Sequence, residues 1–298
     1  MQKIKLILMM LTLILLVSCA TEKRENYKVL VPKTPSGIPV YLALKDKDNF
    51  EVEFFLNHSK ANAKFLRGDV DMLLTGVTIA NSFAKQDVEF DVMCSVVDNL
   101  TYIVGNEQIN RVEDLRGKTL VFPFADSPME SMFIVCAETL GLKKDIDFKV
   151  KYMQFNLSIE KLKTGAELLV FLPEPFVSIA TDKFDLKLGL GLEDIYQSCF
   201  PNSNSAQVIL LSKGLDSTVL NEINSDIDKT IKYINGNGGK VIETIKGEYP
   251  NSEKFTLKTL ERTKYNFLSG TELKKAINSF YKNIGKESQI EEHILELN

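Results

Sequence analysis

Short apolar runs, each followed by a turn and then a helically spaced segment, recur along this chain. YKVLVP (Tyr27–Pro32) reads as a strand before KTPSGIP and the helical VYLALKDKD. FEVEFFLN (Phe50–Asn57) alternates as a strand does, and SKANAKFLRGD follows, with Ser59 expected at the helix N-cap and Gly68 at its stop. VDMLLTG (Val70–Gly76) leads into VTIANSFAKQ, and EFDVMCSVVD (Glu89–Asp98) is one more strand. The pattern restarts after RVEDLRGKT. LVFPF precedes a helix from Pro128 to Leu140 that Gly141 ends; DFKVKYMQF, AELLVFLP, FDLKLGL and QVILLSKG read as further strands. Beyond Asp216 the repeat becomes helical, with Val219, Ile223, Ile227 and Ile231 on one face and Leu273, Ala276, Ile277, Phe280 and Tyr281 on another. Alternating strand and helix implies largely parallel sheets sandwiched by helices, here as two blocks and a helical tail. Two such sheets in one chain imply two lobes with a crevice between them.

The first residues stand apart from this pattern. MQKIKLILMMLTLILLVSCA has two lysines and then an apolar run ending at Cys19, as an export signal requires. LVSC (Leu16–Cys19) resembles the lipobox of bacterial lipoproteins, in which the cysteine is acylated and becomes the new N-terminus. Residues 1–18 are therefore expected to be a signal peptide, with 19–26 a lipidated tether. That reading places the protein outside the cytoplasm, held to the cell membrane by its lipid. Cys94, Cys136 and Cys199 remain, an odd number that argues against a full disulfide framework. Cys94 and Cys136 lie in apolar runs and are expected to be buried free thiols. A net charge of −4 offers no case for a nucleic-acid partner, which needs a basic face.

Ligands of open α/β sheets sit beyond the carboxyl ends of the strands, where loops meet helix starts. Those joints are Lys33–Gly37, Asn57–Ser59 and Thr75–Thr78 in the first block, and Ala125–Pro128, Phe155–Ser158 and Pro173–Pro175 in the second. A helix start has free N–H groups and a partial positive charge, so it can hold an anion without a lysine. The candidate ligand-binding residues are Ser36, Gly37, His58, Ser59, Thr75, Gly76, Thr78, Asp126, Ser127 and Glu174. Each also has an ordinary role: caps for the hydroxyls and Asp126, backbone freedom for the glycines, and a helix-start charge for Glu174. What favours a ligand is their convergence at equivalent ends of two separate sheets. With only His58 and His293 far apart and no metal-ligand spacing, no catalytic residue, metal or cofactor is expected.

FLRGDVDMLLTG, RVEDLRGKTLVFPFADSPMESMFIVCAETLGL and LVFLPEPFVSIA occur in an order similar to that in substrate-binding proteins of nitrate/sulfonate/taurine-type ABC transporters, and the tail AINSFYKNIGKES resembles their closing helices. The resemblance implies the type II periplasmic-binding-protein fold, an α/β fold of two lobes joined by crossover strands and closing on a small solute. Lobe one would comprise 27–98 plus 215–298, and lobe two 99–214. It further implies a monomer that partners a small-molecule solute, an ABC permease and, through its lipid, the membrane. The family's glycine-serine pair is here ADSP, so Ser127 matches but Asp126 precedes it. An acid there disfavours a simple oxyanion such as nitrate and leaves a sulfonate, a zwitterion or a thiamine-precursor-like heterocycle. Two alternatives are an enzyme on the same fold, resembling the thiamine-pyrimidine synthases but without their cysteine-rich motif, and a ligand sensor or adhesin without a permease.

Overall fold

The computed structural model describes residues 26–125 and 127–296. The signal sequence, Cys19, the tether before residue 26, and Asp126 lie outside the described residues.

Two mixed sheets carry the molecule. The first has six strands in the order β11-β4-β10-β3-β1-β2. They are β1 (Tyr27–Pro32), β2 (Phe50–Phe55), β3 (Met72–Gly76), β4 (Asp91–Asn99), β10 (Val208–Ser212) and β11 (Lys264–Ser269). The second has five in the order β7-β6-β8-β5-β9. They are β5 (Thr101–Gly105), β6 (Thr119–Phe122), β7 (Lys149–Tyr152), β8 (Leu169–Pro173) and β9 (Lys187–Gly191). Around the first sheet lie α1 (Ile38–Leu44), α2 (His58–Arg67), α3 (Val77–Ala84), α8 (Ser217–Gly236), α9 (Gly238–Ile245), α10 (Leu257–Arg262) and α11 (Gly270–Asn283). Around the second lie α4 (Pro128–Thr139), α5 (Phe155–Lys163), α6 (Phe176–Phe184) and α7 (Leu192–Cys199).

The sheets depart from the expected parallel order for one reason. β1 pairs in parallel with β2 and β3, and β6 with β7 and β8, as βα units require. β4 leaves the first sheet at its carboxyl edge and, after Leu100 alone, becomes β5. β5 therefore enters the second sheet at the edge where β8 ends, and pairs with it antiparallel, Thr101 opposite Pro173. The returning chain does the same: β10 enters at the carboxyl edge and runs antiparallel between β3 and β4. This corrects the boundary at 214. β10 sits inside the first sheet although it lies within 99–214, because the chain has crossed back before residue 208. The tail is not wholly helical either. KYNFLS forms β11, an edge strand antiparallel to β4.

Local chemistry sets the element ends. Gly68 closes α2 in the left-handed conformation at φ 77°, where a residue with a Cβ is strained. At the other end of α2 the expectation fails: Asn57, not Ser59, is the N-cap, its side chain accepting the Lys60 N–H at 2.9 Å. Cys94 and Cys136 are buried, and Cys94, Cys136 and Cys199 are all free thiols.

One buried apolar cluster runs through both lobes, from Leu30, Leu73 and Ile209 of the first sheet to Leu120, Phe122 and Phe171 of the second. Tyr196 of α7 and Ile277 and Phe280 of α11 belong to the same cluster. Phe171 lies at its centre in the second lobe, stacked on Phe122 at 4.6 Å and against Phe133 at 5.0 Å, and is fully buried. Replacing Phe171 with Ala is expected to destabilise the protein by about 3–5 kcal/mol in urea unfolding. A loss below about 1 kcal/mol would mean that this aromatic core is not where packing is concentrated.

Candidate functional site

The carboxyl ends of both sheets face the crossovers. In the first, Phe55 pairs with Pro32, Gly76 with Val208, and Val208 with Val97, so the ends of β1, β2 and β3 share one edge with the exit of β4. In the second, Thr119–Phe122 of β6 runs alongside Lys149–Tyr152 and parallel to β8, whose last residue pairs with Thr101. All six joints therefore converge on the junction between the lobes. A surface cavity of about 620 Å³ lined by Glu89, Phe90, Asp91, Lys213, Gly214 and His293 lies at the opposite end of β4 and β10.

Ser36 and Gly37 are buried within a 3₁₀ turn, Pro35–Gly37. The Ser36 hydroxyl is 2.9 Å from Thr34 Oγ1, and the Gly37 N–H donates to the Thr34 carbonyl. Tyr249 lies so close to Gly37 that any side chain there would collide with its hydroxyl. That hydroxyl reaches the carbonyls of Pro32 at 2.6 Å and Thr34 at 2.8 Å, and the Tyr265 hydroxyl donates to Pro35 at 2.9 Å. This joint is thus held from behind by two tyrosines. His58 and Ser59 are exposed on the first turn of α2, with the His58 ring edge-on to Phe55 at 5.0 Å.

The joint after β3 has the most unused capacity. Thr75 is buried, and its hydroxyl has no hydrogen-bond partner among the described residues. α3 begins without a side-chain cap, because its N-cap is Gly76. The Val77 N–H donates to the Gln207 carbonyl at 3.1 Å, while half-buried Thr78 stands at the second helical position. A buried hydroxyl beside an uncapped helix start is the arrangement that accepts a polar or anionic group. Gln207 also brings the lobes together: its side-chain amide contacts the Met132 sulfur of α4 at 3.9 Å.

Ser127 caps α4, accepting the Glu130 N–H at 3.2 Å, and is itself buried. Glu130 in turn accepts from Lys144 at 2.9 Å and the Tyr152 hydroxyl at 2.8 Å. Glu174 is fully buried. Its carboxylate accepts from the Ser178 hydroxyl at 3.0 Å and N–H at 3.2 Å, and faces the Arg262 guanidinium at 3.7 Å. Burial pushes its pKa up to about 7 despite those partners.

The crossovers add polar residues that are not among the candidates at the six joints. Asp98 accepts from the side-chain amides of Asn204 at 2.7 Å and Asn266 at 2.8 Å, while its second oxygen is buried without a hydrogen-bond partner among the described residues. The Ser205 hydroxyl bridges the two crossings, 2.5 Å from the Glu193 carboxylate and 3.3 Å from the Asp98 carbonyl. Polar residues beside apolar strands were the available signal, but only pairing across the crossovers shows that Asp98 and Glu193 are buried together.

Several solved structures share this architecture. An ABC transporter protein from Parabacteroides distasonis superposes with a TM-score of 0.73 at 17% identity, over 92% of this chain and all of that one. The periplasmic aliphatic sulphonate binding protein SsuA from Escherichia coli gives 0.70 at 11% identity, over 92% of this chain and 93% of its own. A Candida albicans protein described as having the generic periplasmic binding protein structural fold gives 0.61 at 15% identity, over 92% and 97%. The chain has the type II periplasmic-binding-protein fold. At these identities the likeness is one of fold, and it matches the resemblance carried by FLRGDVDMLLTG and its companions. No protein-family model and no curated protein sequence matches the chain.

Glu193, fully buried in this binding-protein fold, makes a pH test possible. Burial raises its carboxyl from 4.5 to about 7. Between those values the unfolded chain loses the proton and the folded chain keeps it, so stability present at low pH is lost as pH rises through about 7, on the order of 3 kcal/mol in all. Glu193→Gln removes that contribution. In urea unfolding the variant is expected to gain on the wild type by roughly 2–3 kcal/mol between about pH 4.5 and pH 7.5. An unchanged difference across that window would show that Glu193 is ionised in the folded protein.

Proposed function

We propose that this protein is a lipid-anchored, extracytoplasmic solute-binding protein of an ABC importer. It captures a small polar or anionic organic solute between its lobes and closes on it by hinge motion at the crossovers. The observation that supports this reading is the convergence of both sets of carboxyl ends on one junction, where the Thr75 hydroxyl has no hydrogen-bond partner among the described residues and α3 starts without a side-chain cap. Solute bridging both lobes stabilises the closed state by its differential affinity for that state. Lys33 is the sole lysine or arginine in the six joints, so a densely charged oxyanion has little to neutralise it there. A singly charged or zwitterionic organic solute fits better. The Escherichia coli neighbour's aliphatic sulphonates make alkanesulfonates the first class to test.

The chain has no tryptophan, so binding is read by calorimetry or dye-reported melting. The panel comprises alkanesulfonates, taurine, small amino acids and pyrimidine heterocycles. A cognate class at about one hundred times its dissociation constant stabilises by about 2.7 kcal/mol, a rise in Tm of roughly 5–10 °C. Silence across the whole panel, with the protein folded, would count against solute capture.

Anchoring is tested apart from binding. No helix among the described residues is long and apolar enough to cross a membrane. Membrane association is then expected to depend on acylation at Cys19. Cys19→Ser should abolish palmitate labelling and move the protein to the soluble fraction. A wild type that takes up no palmitate would remove the lipoprotein assignment.

A further inference from the structure

The segment 249–265 touches ligand-facing joints in both lobes. On the first lobe, Tyr249 and Tyr265 hold the carbonyls of Pro32, Thr34 and Pro35. Both tyrosines are buried, so these bonds are made away from competing water. On the second lobe, α10 packs against α6 through polar contacts. The Thr259 hydroxyl donates to Ser178 at 2.9 Å, and Lys258 pairs with Asp182 at 3.2 Å. Arg262 is the centre of this contact. Its Nη1 lies 3.1 Å from Thr181 Oγ1, 3.3 Å from Ser178 Oγ and 3.7 Å from the fully buried Glu174 carboxylate. Its own carbonyl accepts the Tyr102 hydroxyl at 2.8 Å. Arg262 lies two residues before β11, which belongs to the first sheet, whereas Tyr102, Glu174, Ser178 and Thr181 belong to the second lobe.

We propose that Arg262 is a positioning residue: through the strap 249–265 it fixes the β8–α6 joint of the second lobe relative to the β1–α1 joint of the first, a non-covalent link beside the two covalent crossovers. Arg262 suits this role because its Nη1 lies within reach of all three oxygens and its charge is permanent beside the buried Glu174 carboxylate. Glu174 anchors Arg262 beneath the joint. The consequence for affinity rests on the solute-binding reading, but the link itself does not, and it is tested without solute.

The test is amide hydrogen exchange on the full chain, comparing wild type with Arg262→Met and Arg262→Lys. Arg262→Met is expected to speed exchange about tenfold at Ser178 and Ile179, and also at Lys33 and Gly37 in the other lobe, the scale of losing charge-assisted hydrogen bonds. Leu73, Leu210 and Leu211 in the centre of the first sheet should exchange as in the wild type. Arg262→Lys should fall between the two. Faster exchange confined to α6 would make Arg262 a local brace and overturn the proposal, as would uniform acceleration that includes β3 and β10. If Arg262→Met does not fold, Thr181→Val removes one bond and leaves the ion pair. It should give the same two-site pattern at smaller size, and a change restricted to α6 would again overturn the link.

Discussion

The antiparallel insertion of β10 between β3 and β4 is the constraint on which the molecule depends. A strand that returned in parallel would need to enter at the amino edge of the first sheet, on the far side of the lobe from the second sheet. By entering at the carboxyl edge, β10 keeps both crossings short and side by side. The same geometry sets β5 antiparallel to β8. Both sheets then point their helix starts at the junction between the lobes. A binding site at this junction can draw on backbone N–H groups from either lobe, which suits capture of a small polar solute by closure.

The crossovers are also where polar groups are buried. Asp98, Asn99, Glu193 and Ser205 are all nearly inaccessible, in a region that joins two apolar cores. Burying carboxyls is costly unless they stay protonated or well bonded, and burial raises the pKa of both Asp98 and Glu193. The short Ser205 to Glu193 bond and the paired amides on Asp98 tie the two crossings to one another. The apolar cluster that continues through Tyr196 and Phe280 joins the lobes as well.

Much of this was legible in the chain because it is local. The strand and helix alternation, the stop at Gly68, the burial of Cys94 and Cys136, and the cap at Ser127 all follow from neighbouring residues. Asn57 took the cap expected of Ser59 because β2 ends at Phe55, which brings the first helical turn earlier. β10 was assigned to the wrong lobe because an apolar run does not say which sheet it joins. The grip on the first joint was invisible for a different reason. Tyr249 and Tyr265 reach carbonyls more than two hundred residues away, and nothing in their own surroundings signals it. Glu174 was noticed as a helix-start acid, but its burial against Arg262 depends on α10 folding over α6.

Solute capture between the lobes is tested most directly by mapping where a bound solute acts. Backbone amide shifts would be recorded on the isotopically labelled protein, with the solute that most raises its Tm. The largest changes should fall at residues 33–37, 75–79, 123–129, 153–158 and 173–178 and along both crossovers, from the two lobes together. Changes confined to one lobe, or centred on Glu89, Asp91, Lys213 and His293 at the opposite end of the first sheet, would contradict it.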